Sequence, residues 1–143
     1  MVEYTSKNFM FLKKSQLQHL YCTLEDDELI CYKTPTNGKI YIDGRKIIEE
    51  LVQRIGEEVG DIERFNLNQS INRLKNHMTH DIYRKFHEVR KVGNNYVHSN
   101  KGELIAPEKV LELVHNILVW YVSKWEDLSC EHLEFEKPPL SND

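Results

Sequence analysis

Four polar residues recur at helical spacing in Phe86-His87-Glu88-Val89-Arg90-Lys91-Val92-Gly93-Asn94-Asn95-Tyr96-Val97-His98. At about 100° per residue, Phe86, Val89, Gly93 and Val97 fall on one side and face a core. His87, Arg90, Asn94 and His98 form a polar row beside them, flanked by Lys91 and Asn95. Such a row has two readings. As a structural border, Arg90 and His98 cap helices or form ion pairs. As a site, Arg, Asn and His converge on a phosphate. A guanidinium clamps phosphate oxygens through its forked donors, and an imidazole moves protons near neutral pH. Gly93 costs about 1 kcal/mol against Ala in a helix interior. A glycine there predicts a second helix packed closely against it, with the polar row at the edge of that contact.

Other candidates carry less. His77-Met78-Thr79-His80 holds two histidines three apart with no third metal ligand in view. Glu25-Asp26-Asp27-Glu28 reads as a solvated acidic surface. There is no P-loop, G-x-G-x-x-G or G-x-S-x-G, so neither a metal nor a small-molecule cofactor is expected. The formal net charge of -4 argues against broad coating of a nucleic-acid backbone, although a local basic patch remains open. Cys22, Cys31 and Cys130 are odd in number and form no C-x-x-C pair, which fits free thiols in a reducing compartment. The opening Met1-Val2-Glu3-Tyr4 lacks the basic-then-apolar pattern of a secretory signal. The longest apolar run, Ile117 to Val122, is far below the ~18 residues of a membrane span. The expected location is the cytoplasm.

The elements that must position the row are helices. Ser15 to about Lys33 reads as one, with Ser15 as N-cap and Glu25-Asp26-Asp27 as a point of interruption. Thr34-Pro35-Thr36-Asn37-Gly38 is a turn, and Lys39-Ile40-Tyr41-Ile42 alternates as a short extended piece. Asp43 suits the N-cap of a second helix through Ile47, Ile48, Leu51, Val52, Ile55 and Val59, with Gly60 as its stop. A third helix spans about Asn68 to His77. Thr79 caps a fourth through Ile82, Tyr83, Phe86 and Val89, and Asn100-Lys101-Gly102 ends the pattern. Pro107 opens the last helix. Its stripe runs Val110, Leu111, Val114, Ile117, Leu118, Tyr121, Val122, Trp125, and Leu113 and Trp120 add a second apolar side. A helix this apolar is central or shared with a partner chain, and the extra side predicts a homodimer. The fold class is therefore all-α, a compact bundle of four to five helices. It divides into a domain over residues 1–126 and an acidic, mobile tail over residues 127–143.

The segment Phe86 to His98 resembles the signature of domain-of-unknown-function family 4145, in which an Arg, then Gly-Asn, then a His share one helix. Here these are Arg90, Gly93-Asn94 and His98. Asn8-Phe9-Met10-Phe11-Leu12 is similar to the family's opening, Ile47 to Ile55 to its early amphipathic helix, and Pro107 to Trp125 to its closing helix. The resemblance covers roughly residues 6–126. It implies a HEPN-like bundle and a setting in bacterial or phage defence, among restriction, toxin–antitoxin or CRISPR systems. Many proteins of that superfamily are dimeric, metal-independent ribonucleases whose motif is Arg, four to six residues, then His. In this chain seven residues separate Arg90 from His98, and Gly93 stands where the superfamily places its Arg before Asn94. Lys91 falls at a permitted spacing without the forked donors of Arg.

Three functions follow. The first is a non-enzymatic module that dimerises or docks a partner of a defence system, with Gly93, Leu113 and Trp120 in packing or dimer contacts and His87, Lys91 and Asn95 in binding. The second is a ribonuclease with Arg90, Asn94 and His98 in its site and RNA as substrate. The third is a small inhibitor or antitoxin-like protein whose acidic surface mimics nucleic acid.

Overall fold

Residues 4–34, 36–61, 63, 65–98 and 105–137 are described by a computed structural model. Among them the chain forms five α-helices and no strand: α1 Tyr21–Lys33, α2 Lys39–Val59, α3 Leu67–Arg73, α4 His80–Val97 and α5 Pro107–Trp125. The all-α bundle expected from the periodicity is present. Among the described residues no helix is long and apolar enough to cross a membrane. Asn100-Lys101-Gly102 lies outside the described residues.

α5 is the central helix. Val110, Leu111, Leu113, Val114, His115, Ile117, Leu118, Val119, Tyr121 and Val122 are all buried. α2 packs against α4 most extensively, and both lie against α5. Leu113, expected on a dimer face, is 4% exposed within its own chain. Trp120 packs edge-on to Phe86 of α4, with ring centroids 6.2 Å apart. Leu113 thus belongs to the chain's own core, and Trp120 is half-buried against α4.

Local chemistry shifts three boundaries. Lys39 to Ile42 is the first turn of α2 and not an extended piece. Asn37 Oδ1 accepts from the Lys39 amide at 2.8 Å. Lys39 Nζ joins Asp43, one turn on, at 2.7 Å and Asp27 of α1 at 2.8 Å. Ile40 is buried whereas Ile42 is exposed, the outcome of a 3.6-residue period where alternation would place both on one face. Asp43 therefore lies inside α2. Second, α1 begins at Tyr21. Ser15 accepts from the Leu17 amide at 2.9 Å and donates to Glu126 at 2.8 Å, which makes it a tie to the end of α5. Third, the expected third helix divides into α3 and a 3-10 turn at Lys75–His77.

The acidic run in α1 neither breaks the helix nor forms a solvated face. Asp27 and Glu28 are each 1% exposed. Glu28 accepts from the Tyr4 hydroxyl and, at 2.6 Å, from Asn8 Nδ2. Burial, with the Asp43 carboxyl beside it, pushes Asp27 up to about 7. Gly60 closes α2 with φ 81°, a left-handed conformation that costs glycine little.

The tail expected to be mobile is packed as far as the description reaches. Asp127 takes φ 56° after α5, and the chain turns back along the body. Cys130 is buried, and Leu133 and Phe135 pack against the core. Asn8 clips this segment down: its Nδ2 donates to the Glu136 carbonyl at 2.8 Å, and its Oδ1 accepts from the Glu136 amide at 2.9 Å. The packed body therefore extends past residue 126. Under this strap lies His115, 1% exposed, ringed edge-on by Phe9, Phe11 and Phe135 at 5.7, 5.8 and 5.6 Å.

Burial holds the His115 imidazole below its ordinary value of 6.5. The unfolded chain therefore binds this proton more readily than the folded one. The stability contributed by neutral His115 is complete above pH 6.5 and is lost as pH falls through the folded-state value. Thermal melts at pH 7.5 and pH 5 should show a larger acid-side loss for the natural chain than for His115→Leu; equal losses would contradict this origin.

Candidate functional site

Thr79 starts α4 as the sequence suggests: its Oγ1 accepts from the Ile82 amide at 3.1 Å. From there Ile82, Phe86, Val89, Val92 and Gly93 are buried, which turns the adjacent row along the edge facing α2 and α3. A Cβ built on Gly93 would lie 2.9 Å from Arg45 Cβ and 3.0 Å from the Tyr41 carbonyl oxygen. α2 thus crosses α4 at a distance that admits no side chain. The aliphatic stem of Arg45 lies over Gly93, while its Nη1 pairs with Glu49 at 2.7 Å.

One turn back on α4, Arg90 Nε donates to His87 Nδ1 at 3.0 Å. His87 Nε2 in turn meets Asn72 Oδ1 of α3 at 2.9 Å. The Tyr83 hydroxyl donates to the same Asn72 oxygen, and the Tyr83 ring stands edge-on to the His87 ring at 4.8 Å. A histidine that accepts at Nδ1 and donates at Nε2 is neutral. Its environment agrees: desolvation, then the charges of Arg90 and Lys91, lower the His87 pKa below its ordinary value. Arg90 is also pushed down, by desolvation and then by the charge of Arg45.

The arginines differ in their compensation. Arg45, Arg54, Arg73 and Arg84 each pair with a carboxylate. Arg90 has no carboxylate partner among the described residues, and its Nη1 and Nη2 have no hydrogen-bond partner among them. It borders a shallow depression of about 460 Å³ whose lining includes Asn72, Tyr83, His87, Glu88 and Lys91.

The remaining sequence candidates are not gathered here. Asn94 and Asn95 are half-buried further along the helix. His98 is the exposed C-cap of α4. Eight residues at about 1.5 Å each carry it roughly 12 Å beyond Arg90, so the two do not form a hydrogen-bonded acid–base pair within one chain. His77 and His80 pack beside different rings, Trp125 and Tyr83. No group of three or more His, Cys, Asp or Glu side chains suited to a metal ion occurs among the described residues.

Three contributors lie outside the row His87, Arg90, Asn94 and His98 that spacing marks on α4. Tyr83 lies one turn before His87, and extending the polar row backwards by four residues reaches it. Asn72 and Arg45 lie on other helices, and nothing in their spacing from Arg90 marks them.

Comparison of the chain with protein-family models, curated proteins and solved structures returned no match.

These contacts yield opposing tests of structural need. Arg90 gains one hydrogen bond, worth about 0.5–1.5 kcal/mol net, but is partly desolvated beside a like charge. Arg90→Ala should therefore stay within about 1 kcal/mol of the natural chain in denaturant unfolding. Gly93→Ala should lose about 1 kcal/mol or more, about 3 °C in melting temperature at this size, because the Tyr41 backbone cannot yield. A neutral Gly93→Ala would show that the crossing is looser than described.

Proposed function

We propose that this chain is a non-enzymatic helical binding module that docks another component of a bacterial or phage defence system. The docking face is the edge of α4 that carries Arg90. One observation carries the reading: Arg90 is held in place by His87 yet left without a counter-charge among the described residues. A partly desolvated cation beside another cation is unfavourable alone. A partner that brings an anionic group removes that cost, and charge complementarity of this kind supplies both specificity and rapid encounter. The defence setting rests on the resemblance carried by Arg90, Gly93-Asn94 and His98.

The ribonuclease alternative needs an imidazole poised at the reacting atoms. His87 is neutral and uses both nitrogens in positioning Arg90, while His98 stands at the far end of the helix. The antitoxin-like alternative, with its acidic mimicry, gains nothing from a face whose distinctive residue is a cation.

Affinity capture with the tagged chain, in cells that carry it natively, tests the reading. The natural chain should retain a specific component that Arg90→Ala loses, and labelled RNA should stay intact in EDTA. Cleavage of RNA in EDTA by the natural chain, abolished in His98→Ala, would replace docking with catalysis.

A further inference from the structure

We infer that the depression beside Arg90 is a phosphoryl-binding site, in which the two terminal guanidinium nitrogens grip a tetrahedral phosphate oxyanion and Lys91 lies at its rim. The inference rests on the reading of this α4 face as the docking face and adds the chemistry of what docks there.

Three features select the ligand. The first is the direction of the guanidinium. Its Nε is committed to His87 Nδ1 at 3.0 Å, so the edge left to a ligand is the Nη1–Nη2 pair. That pair presents parallel donors that match two oxygens of one phosphate. The second is how firmly the direction is set. His87 is fixed through Asn72 of α3, and Asn72 also accepts from the Tyr83 hydroxyl. Three side chains on two helices thus hold one guanidinium, an arrangement superfluous for an arginine that only borders solvent. His87 acts here as a positioning residue and contributes no charge.

The third feature is the local balance of charge. The chain as a whole carries -4, yet the depression is lined by Arg84, Arg90 and Lys91 against one carboxylate, Glu88. Arg84 is already paired with Asp81 at 3.2 Å, which leaves Arg90 and Lys91 for the ligand. Two cations reached from one depression suit a group with several charged oxygens. A lone carboxylate would engage only the fork. The volume of about 460 Å³ leaves room for the group that carries the phosphate. That phosphate belongs to a free nucleotide or to a polynucleotide backbone.

The test titrates the full chain with inorganic phosphate, a nucleoside 5′-monophosphate and a ten-nucleotide single strand, with acetate as the carboxylate control. Phosphorus NMR and fluorescence anisotropy follow binding, and thermal melting is recorded for every variant. Inorganic phosphate should bind with a Kd of about 1 mM and acetate much more weakly. A mononucleotide that binds as tightly as the strand indicates a nucleotide ligand; a strand tighter by about tenfold or more indicates a backbone.

Arg90→Ala should weaken phosphate at least about tenfold. Arg90→Lys keeps the charge and the fold but should weaken it similarly, because the fork is lost. His87→Gln, which can accept from Arg90 and donate to Asn72, should stay within about threefold, whereas His87→Leu should not. Failure of the natural chain to bind phosphate overturns the inference. So does equal binding of acetate, or undiminished binding by both Arg90 variants. If Arg90→Ala loses the captured component while phosphate never binds, this inference falls and the docking reading stands. If phosphate binds through Arg90 while capture is indifferent to it, the site stands and the docking reading falls.

Discussion

α2 and α4 meet across Gly93 at a separation that leaves no space for a Cβ, with the Tyr41 carbonyl and the Arg45 stem on the other side. Much of the molecule's arrangement depends on that approach. It brings Arg45 within electrostatic range of Arg90, and it seats both helices against α5. A larger residue at position 93 would push the helices apart, and the cation would then stand in water like any surface arginine. The unusual environment of Arg90 is therefore a property of a helix crossing as much as of the arginine itself.

The same body shows two ways of handling buried polarity. In α1 the buried carboxyls are given partners: Glu28 by Tyr4 and Asn8, and Asp27, raised by its burial, by Lys39 at one oxygen. In α5 the charge is avoided, because His115 sits among three aromatic rings that favour the neutral imidazole. Most buried polar groups in folded proteins are paired or neutral. On the α4 face neither remedy is complete for Arg90, which sets it apart from Arg45, Arg54, Arg73 and Arg84, each paired with a carboxylate.

How much of this was legible in the sequence depended on the range of the interaction. The 3.6-residue period revealed α2, α4 and α5, and Gly60, Thr79 and Pro107 marked ends correctly because caps act within one turn. Gly93 signalled a close neighbour, although not which helix would supply it. Misreadings arose where a distant partner decided the outcome. Lys39 to Ile42 alternates, but Asp27, twelve residues away, helps anchor the helical start. The acidic run looked solvated because Tyr4 and Asn8 lie about twenty residues before Glu28. Leu113 and Trp120 looked surplus because the residues that cover α5, in the N-terminal segment, α4 and the tail, are dispersed along the chain. The polar row on α4 could be read, but its extension through Asn72 needed the position of α3.

The clip between Asn8 and Glu136 joins residues 128 positions apart. Ordering a loop of that length carries an entropic cost that grows with the logarithm of its size, whereas each helix forms from neighbours in the chain. The strap over His115 therefore depends on a long-range contact in a way that no helix does. Its hydrogen bonds at Glu136 should exchange their amide protons sooner than those of α5 beneath it. Release of the strap would take Phe135 from the rings around His115 and leave Phe9 and Phe11 in place.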